Sequence, residues 1–265
     1  MSDLHFNYID WNCHLLTGLH ETMTDPTEAV KALSFMQSKF GFHTFCMMPY
    51  FYPDVDSVSF FLMRRRKALS AVADGLSDAY SRYADQPSSH FHFQMPVKLL
   101  VGATVCMEPK IHQIFDLGKL QIRFGNDLYL PIRLPLGDYA DWIDLELNRL
   151  LYQSKFRLLF SSFELPCILY TDEILTKLTR ISNAIYQFNY RALENPRILR
   201  WILHLLHQNA KVIFGTSLDC LDKAYFYDFD YYLRSAKANC SSADYAMLLK
   251  YALKLPLKHP SVFRH

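Results

Sequence analysis

Histidine, cysteine and carboxylate side chains are the groups in this sequence that could bind a metal ion or transfer a proton. Two histidine pairs have spacings that suit a metal ion, His90 with His92 and His204 with His207. The first pair lies in a predicted loop and the second on a predicted helix without acidic neighbours, so surface positions explain both at least as well. The six cysteines are widely scattered without a CxxC pair, which excludes a zinc ribbon.

The elements that must position such groups alternate in a regular order. Short apolar segments are followed by helical patterns about seven times, which predicts parallel strands joined by crossover helices. This order alone leaves both a closed barrel and a doubly wound sheet open. We predict strands over residues 6–10, 43–48, 97–106, 128–134, 156–161, 184–188 and 211–217. We predict helices over residues 26–40, 55–83, 138–153, 172–182 and 196–209, and over most of the tail from residue 222.

Capping residues predict where two of these helices begin. Pro26 starts the first helix, with Thr24 or Asp25 as its cap, and Gly41 ends it. Asp138 is the predicted cap of the third helix. Residues 85–89 are interpreted as a loop within one domain rather than as a domain boundary, so residues 1–265 are predicted to form a single domain.

If the parallel strands close into a barrel, the chemistry belongs at their carboxyl ends. Motifs at those ends resemble the polymerase-and-histidinol-phosphatase (PHP) family. Residues 9–18 (IDWNCHLLTG) are similar to the family's opening I-D-x-H-C-H-I-L-P-G, and residues 212–219 to its F-x-A-S-D-A-H. Further fragments in the same order cover residues 25–30, 44–50, 101–104, 126–135 and 158–165.

The resemblance is to the bacterial tyrosine phosphatases that control capsule and exopolysaccharide synthesis. It implies a distorted (β/α)7 TIM-like barrel. In that family, histidine and carboxylate side chains hold a cluster of manganese, iron or zinc ions, which leaves an open position for a hydroxide nucleophile. The resemblance places these residues at the positions of the pocket: Asp10, Asn12, His14, Glu21, Tyr50, Thr104, Arg133, Ser162, Glu164, Ser217 and Asp219.

Most of the family's ligand positions hold poor ligands here. Asparagine, tyrosine, threonine and serine stand at five of these positions, and Arg133 brings a positive charge that repels metal ions. Leu165 replaces the family's arginine. By resemblance, His14, Glu21 and Asp219 are the ligands that remain, and they could hold one divalent ion (Mn, Fe or Zn) rather than a cluster. No cofactor is therefore expected, with a single residual metal ion as the alternative.

His14 and Arg133 each have two interpretations. His14 is either a remaining ligand or, as we favour, hydrogen bonded to a carboxylate such as Asp10 or Asp219. Arg133 either replaces the metals electrostatically and binds a phosphate or carboxylate, or it pairs internally with Glu21 or Asp219. We favour the internal pair, because a buried charge must be matched.

The resemblance together with the lost ligands favours a catalytically degenerate PHP protein, a binding or regulatory pseudo-phosphatase. Its expected partner is a phosphorylated or tyrosine-rich protein tail, or another protein. The first alternative is an active phosphoesterase or protein-tyrosine phosphatase with a rearranged site and at most one metal. The second is an RNA-associated PHP-like barrel, for which the basic run Arg64–Lys67 is the one support. A solvated helix face explains that run better.

Composition limits the class of partner that the protein is expected to bind and its expected location in the cell. A net charge of +2 is too small to indicate a nucleic-acid partner by itself. No apolar run is long enough to span a membrane, and the first residues lack the features of a signal peptide. With unpaired cysteines, these features predict a cytoplasmic protein with reduced thiols.

Overall fold

Parallel strands joined by helices make up the structure, a computed structural model that describes residues 8–19, 23, 25–85 and 96–250. The strands are β1 (Tyr8–Cys13), β2 (Phe42–Met47), β3 (Tyr50–Phe51), β4 (Lys98–Val101), β5 (Thr104–Cys106), β6 (Ile122–Phe124), β7 (Asp127–Arg133), β8 (Arg157–Phe160), β9 (Ile185–Asn189) and β10 (Lys211–Gly215). The predicted mixed α/β class with parallel strands is confirmed.

The helices follow the strands in the predicted alternation. They are α1 (Pro26–Phe40), α2 (Val58–Asp85), α3 (Asp141–Asn148), α4 (Glu164–Leu169), α5 (Asp172–Thr179), α6 (Pro196–His207), α7 (Leu221–Tyr225), α8 (Phe229–Ala238) and α9 (Ser242–Leu248). Single 3-10 turns cover Ile111–Gln113, Leu117–Leu120 and Tyr190–Glu194, and a π-helical turn covers Arg149–Gln153. Within the described residues, no helix is both long and apolar enough to cross a bilayer.

Helix α1 shows how local signals place an element. Its preceding residue, Asp25, is extended, and the carboxylate accepts a hydrogen bond from the Thr27 backbone N–H at 2.8 Å. Pro26 occupies the first turn, where a missing N–H costs nothing. Gly41 ends the helix with a φ of 76°, which glycine adopts without strain. The predicted helix over residues 26–40 is confirmed, with Asp25 as its cap.

Three predicted boundaries are wrong. The strand predicted over residues 97–106 is two strands, β4 and β5, which are separated at Gly102 and Ala103. Asp138 does not cap α3, because Ala140 precedes that helix without a side-chain hydrogen bond. Asp85 belongs to α2 rather than to a loop, and residues 86–89 lie outside the described residues.

The strands pair in two groups. One has the order β1-β2-β4, and the other has the order β10-β9-β8-β7-β5-β3, with β6 antiparallel to β7. The two groups are continuous along the chain, because β2 leads into β3 and β4 leads into β5. The pairings between described residues do not close into one sheet, so the closed barrel stays a prediction.

The two outer strands of this series, β1 and β10, approach each other closely. A Cβ on Gly215 would lie only 2.5 Å from the backbone nitrogen of Asn12. Just beyond β10, Ser217 N donates to Asn12 O and His14 N donates to Leu218 O, each at 2.7 Å. Strand β1 and the segment after β10 are therefore joined by backbone hydrogen bonds at their carboxyl ends.

The strands contribute to two separate apolar clusters, because successive side chains on a strand point to opposite faces. On β8, Leu158 and Phe160 join the large cluster that also contains the helices, whereas Leu159 joins a small one. The buried members of the small cluster are Ile9, Trp11, Cys46, Met48, Leu100, Ile122, Tyr129, Leu159, Ile185 and Ile213. Strands β1, β2, β4 and β6 to β10 thus share one inner core beneath their polar carboxyl ends.

Candidate functional site at the carboxyl ends of the strands

Asp10 anchors the end of β1 to the segment after β10. Its Oδ1 accepts hydrogen bonds from the backbone N–H groups of Asn12 at 3.0 Å and Thr216 at 2.8 Å, and the Thr216 hydroxyl donates to Oδ2 at 2.5 Å. Complete burial raises the pKa of Asp10 from 3.8 to about 7, although the bonds from Thr216 and Asn12 oppose this shift. Both Asp10 oxygens therefore join β1 to the segment after β10, and the expected bond between Asp10 and His14 stays a prediction.

Asn12 lies at the centre of a network of neutral side chains. Its Nδ2 donates to Gln187 Oε1 at 3.1 Å and to Ser217 Oγ at 3.4 Å. The same Gln187 oxygen accepts a hydrogen bond from Ser162 N at 2.8 Å. The Asn12 Oδ1 atom is buried without a hydrogen-bond partner. These neutral groups connect the ends of β1, β8, β9 and β10, and we call the edge that these strand ends form around Asn12 the mouth.

Ser162 and Ser217 follow β8 and β10 in the same unusual backbone conformation. Their φ angles are 53° and 52°, in the left-handed region that few residues other than glycine adopt. Each backbone N–H is used in the mouth, by Gln187 Oε1 and by Asn12 O respectively. Hydrogen bonds within the site therefore stabilise these two strained backbone conformations.

Tyr50 contacts both His14 and Arg133 through its ring. The His14 ring stacks on the Tyr50 ring with centroids 4.5 Å apart, and the Arg133 guanidinium lies 4.6 Å from the same ring. A side-chain hydrogen bond joins Tyr50 to Ser162, which connects this stack to the asparagine network. Burial raises the pKa of Tyr50, and the charge of Arg133 opposes that shift. Tyr50 is therefore a neutral phenol at physiological pH.

Arg133 does not form the expected internal ion pair with Asp219. Asp219 instead accepts from Lys223 Nζ at 2.6 Å, and the expected alternative partner, Glu21, lies outside the described residues. Within the described part of the chain, no carboxylate lies within 4.0 Å of the Arg133 guanidinium, and its Nε is buried without a hydrogen-bond partner. The partner that the structure does give Arg133 is the face of Tyr50.

Thr104 and Glu164 complete the mouth. Thr104 is buried, and its hydroxyl lies 3.5 Å from that of Ser161. Glu164 accepts a hydrogen bond from Asn189 N at 3.0 Å. Burial raises the pKa of Glu164 to about 7, and the nearby charge of Arg133 opposes this shift. Apart from Glu21, the predicted pocket residues thus lie at the carboxyl ends of the strands or in the segments that follow them.

The residues at this mouth do not fit a cluster of metal ions. No group of three or more histidine, cysteine or carboxylate side chains converges among the described residues. His14 stacks on Tyr50, and the Asp219 carboxylate is paired with a lysine. Arg133 places a cation at the same edge. In this arrangement the Asp219 carboxylate is already paired, and a cation lies nearby, which does not suit the anionic ligand sets that divalent metals require.

Gln187 and Thr216 make hydrogen bonds within the mouth, although the sequence motifs do not point to either residue. Both lie in strand-end segments, but neither stands at a ligand position of the resembled family. Gln187 connects three strand ends, and Thr216 makes two of the bonds to Asp10. A buried glutamine at a strand end was the available signal, since an amide there must find partners.

The basic run on α2 and His207 make contacts elsewhere in the fold. On α2, Arg64 bonds to Asp56 and Gly18 O, each at 2.8 Å, and Arg65 bonds to Gly102 O at 2.8 Å. Half of the basic run is therefore engaged within the fold. His207 is 62% exposed and pairs with Asp244 of α9 at 2.9 Å, which confirms its surface position. His90 and His92 lie outside the described residues.

Comparison with known proteins gives a match at the level of structure. No family model matches the sequence. No curated protein matches it either. One similar solved structure comes from the crystal structures of YwqE from Bacillus subtilis and CpsB from Streptococcus pneumoniae, unique metal-dependent tyrosine phosphatases. It is 16% identical, covers 90% of each chain and has a TM-score of 0.60.

A second similar structure is the histidinol phosphate phosphatase HISK from Lactococcus lactis subsp. lactis Il1403, complexed with zinc, L-histidinol and phosphate. It is 12% identical, covers 88% of this chain and 94% of that chain, and has a TM-score of 0.45. The first of these two structures shows that this chain shares the fold of a metal-dependent tyrosine phosphatase. The likeness in fold to the tyrosine phosphatases, predicted from the strand-end motifs, is confirmed.

Proposed function

We propose that this chain is a catalytically degenerate relative of the PHP tyrosine phosphatases, a binding or regulatory protein on a distorted (β/α)7 barrel. The seven barrel positions would be β1, β2 with β3, β4 with β5, β7, β8, β9 and β10. The shared inner core and the contact between β10 and β1 support this arrangement. The proposal also covers the capsule or exopolysaccharide context and the cytoplasmic location that the sequence predicts.

The network centred on Asn12 is the observation that carries the proposal. Both Asn12 amide hydrogens are directed to neutral acceptors, Gln187 and Ser217. A metal-bound hydroxide would require anionic or imidazole ligands directed into the same space. Since hydrogen-bond donors occupy that space, and Arg133 adds a positive charge, the mouth disfavours divalent cations.

Metal content and turnover test the proposal together. The full chain is purified without chelator, supplemented with Mn²⁺, Fe²⁺ or Zn²⁺, desalted, and assayed on p-nitrophenyl phosphate and a phosphotyrosine peptide. We expect well below one metal ion per chain by elemental analysis and no turnover above the buffer rate. An active metal-dependent tyrosine phosphatase, run in parallel, shows that the assay would detect turnover.

The same assay distinguishes this proposal from the alternative, an active enzyme with at most one metal ion. Turnover that is lost in His14→Ala, with one bound ion per chain, would contradict the proposal and favour that alternative. RNA binding that weakens with rising salt would favour the RNA-associated barrel. The internal bonds of Arg64 and Arg65 argue against the latter, because they occupy donors of two of the four basic residues that would contact phosphates.

A further inference from the structure

Among the described residues, Arg133 is a charged group of the mouth whose charge is not balanced by a close carboxylate. It ends β7, where its neighbour on β5 is Cys106, and its guanidinium covers one face of Tyr50 at 4.6 Å. Within the described chain it forms no ion pair, and its buried Nε makes no hydrogen bond. A partly buried cation with unused donors is costly unless an anion or water completes it.

The groups around Arg133 are suited to an oxyanion. A guanidinium presents its N–H donors as a planar fork that matches the oxygens of phosphate or carboxylate. Ser162 hydrogen-bonds with Tyr50, so one hydroxyl group lies beside the ring that the guanidinium covers. A hydroxyl can donate as well as accept, so it can support an oxyanion bound to the guanidinium.

Glu164 is the carboxylate of the described mouth that acts electrostatically on Arg133. It lies beyond ion-pair distance and already accepts a hydrogen bond from Asn189 N. It therefore reduces the positive potential at Arg133 without occupying the guanidinium. A doubly charged phosphate group would compete with Glu164 more effectively than a singly charged carboxylate would.

We propose that Arg133 binds the phosphate group of a phosphomonoester at the mouth and that the ligand is retained without hydrolysis. The inference rests on the proposed function, because it assigns to an arginine the ligand-binding role that metal ions would have in an active phosphatase. The Tyr50 ring holds the guanidinium in place, and the His14 ring stacks on that same tyrosine and supports it.

Calorimetric titration of the full chain tests the assignment with inorganic phosphate, phosphotyrosine and acetate as probes. We expect wild-type protein to bind both phosphates, and to bind acetate more weakly. Arg133→Met keeps the aliphatic stem and removes the charge, so phosphate affinity should fall about tenfold or more. Arg66→Met is the matched control, because Arg66 is an exposed arginine of α2, and it should bind like wild type.

Equal phosphate affinity in wild type and Arg133→Met, or no binding at millimolar phosphate, would overturn the inference. If Arg133→Met does not fold, Arg133→Lys replaces it, since it keeps the charge but loses the fork, and weaker phosphotyrosine binding is again expected. Free phosphate is measured in each phosphotyrosine titration. Release of free phosphate would contradict the proposed absence of catalysis. Phosphate binding that does not depend on Arg133 would contradict only the assignment of the phosphate site to Arg133.

Discussion

Asn12 is the residue on which the proposed loss of the metal centre mainly rests. An asparagine can donate two hydrogen bonds, and here both go to side chains from β9 and the segment after β10. Under the proposed function, neutral hydrogen bonds stand where a metal would be bound, and each adds only about 1 kcal/mol to stability. The Asn12 Oδ1 atom remains buried without a hydrogen-bond partner.

Asp10 should make stability depend on pH. Its folded-state pKa of about 7 exceeds its ordinary value of 3.8, so the folded protein holds the proton more tightly than the unfolded chain. The resulting stabilisation is complete below the lower value and is lost as the pH rises through about 7. Asp10→Asn keeps the shape and cannot titrate. We expect the free energy of unfolding of wild type to fall by about 2 kcal/mol more than that of the variant between pH 5 and 8.

Urea unfolding of both proteins at pH 5, 6, 7 and 8 measures this difference. Only the change with pH is compared, so a constant effect of the substitution on stability does not matter. Parallel curves for the two proteins would show that Asp10 has an ordinary pKa in the folded state.

Among the elements, β1 and β10 decide how the strand series ends. Their backbones come so close at Gly215 that no side chain fits, and the next residues exchange backbone hydrogen bonds. The contact holds Asn12 against Ser217, so the geometry of the site depends on it. A glycine at this position is therefore required by packing rather than by its φ angle.

Gly215→Ala should destabilise the protein by about 1–3 kcal/mol, because the added methyl group would overlap the backbone of Asn12. Gly137→Ala is the matched control, since nothing lies within 4 Å of the place that its added methyl group would take. Thermal unfolding followed by circular dichroism measures both variants. A Gly215→Ala protein as stable as Gly137→Ala would mean that β1 and β10 are not in close contact.

The whole molecule combines a fold similar to that of a metal-dependent tyrosine phosphatase with a mouth where, among the described residues, no group of three or more histidine, cysteine or carboxylate side chains converges. The likeness in fold extends over 90% of the chain, whereas the proposed loss of metal ligands concerns only the strand ends. Packing and chemistry can diverge in this way because the apolar faces of the strands maintain the fold, and the polar ends do not contribute to that core.

Metal ions should accordingly leave the stability of the whole molecule unchanged. A native site at one hundred times its Kd would add about 2.7 kcal/mol, which raises the Tm of a protein of this size by roughly 5–10 °C. We expect Tm to change by less than about 1 °C between EDTA and excess Mn²⁺ or Zn²⁺. Mg²⁺ at equal ionic strength is the control, and a rise specific to Mn²⁺ or Zn²⁺ would reveal a retained metal site.

The alternation of strands and helices and the caps of α1 follow from local patterns, so they could be predicted from the sequence. The expectation that metal ligands are missing also comes from the sequence, because a residue's identity sets its chemistry wherever it lies, and it stays a prediction. The break at Gly102, the bond from Asn12 to Gln187 across 175 residues and the contact of Arg133 with Tyr50 could not. They depend on which strand ends become neighbours, and only packing of the whole chain determines that.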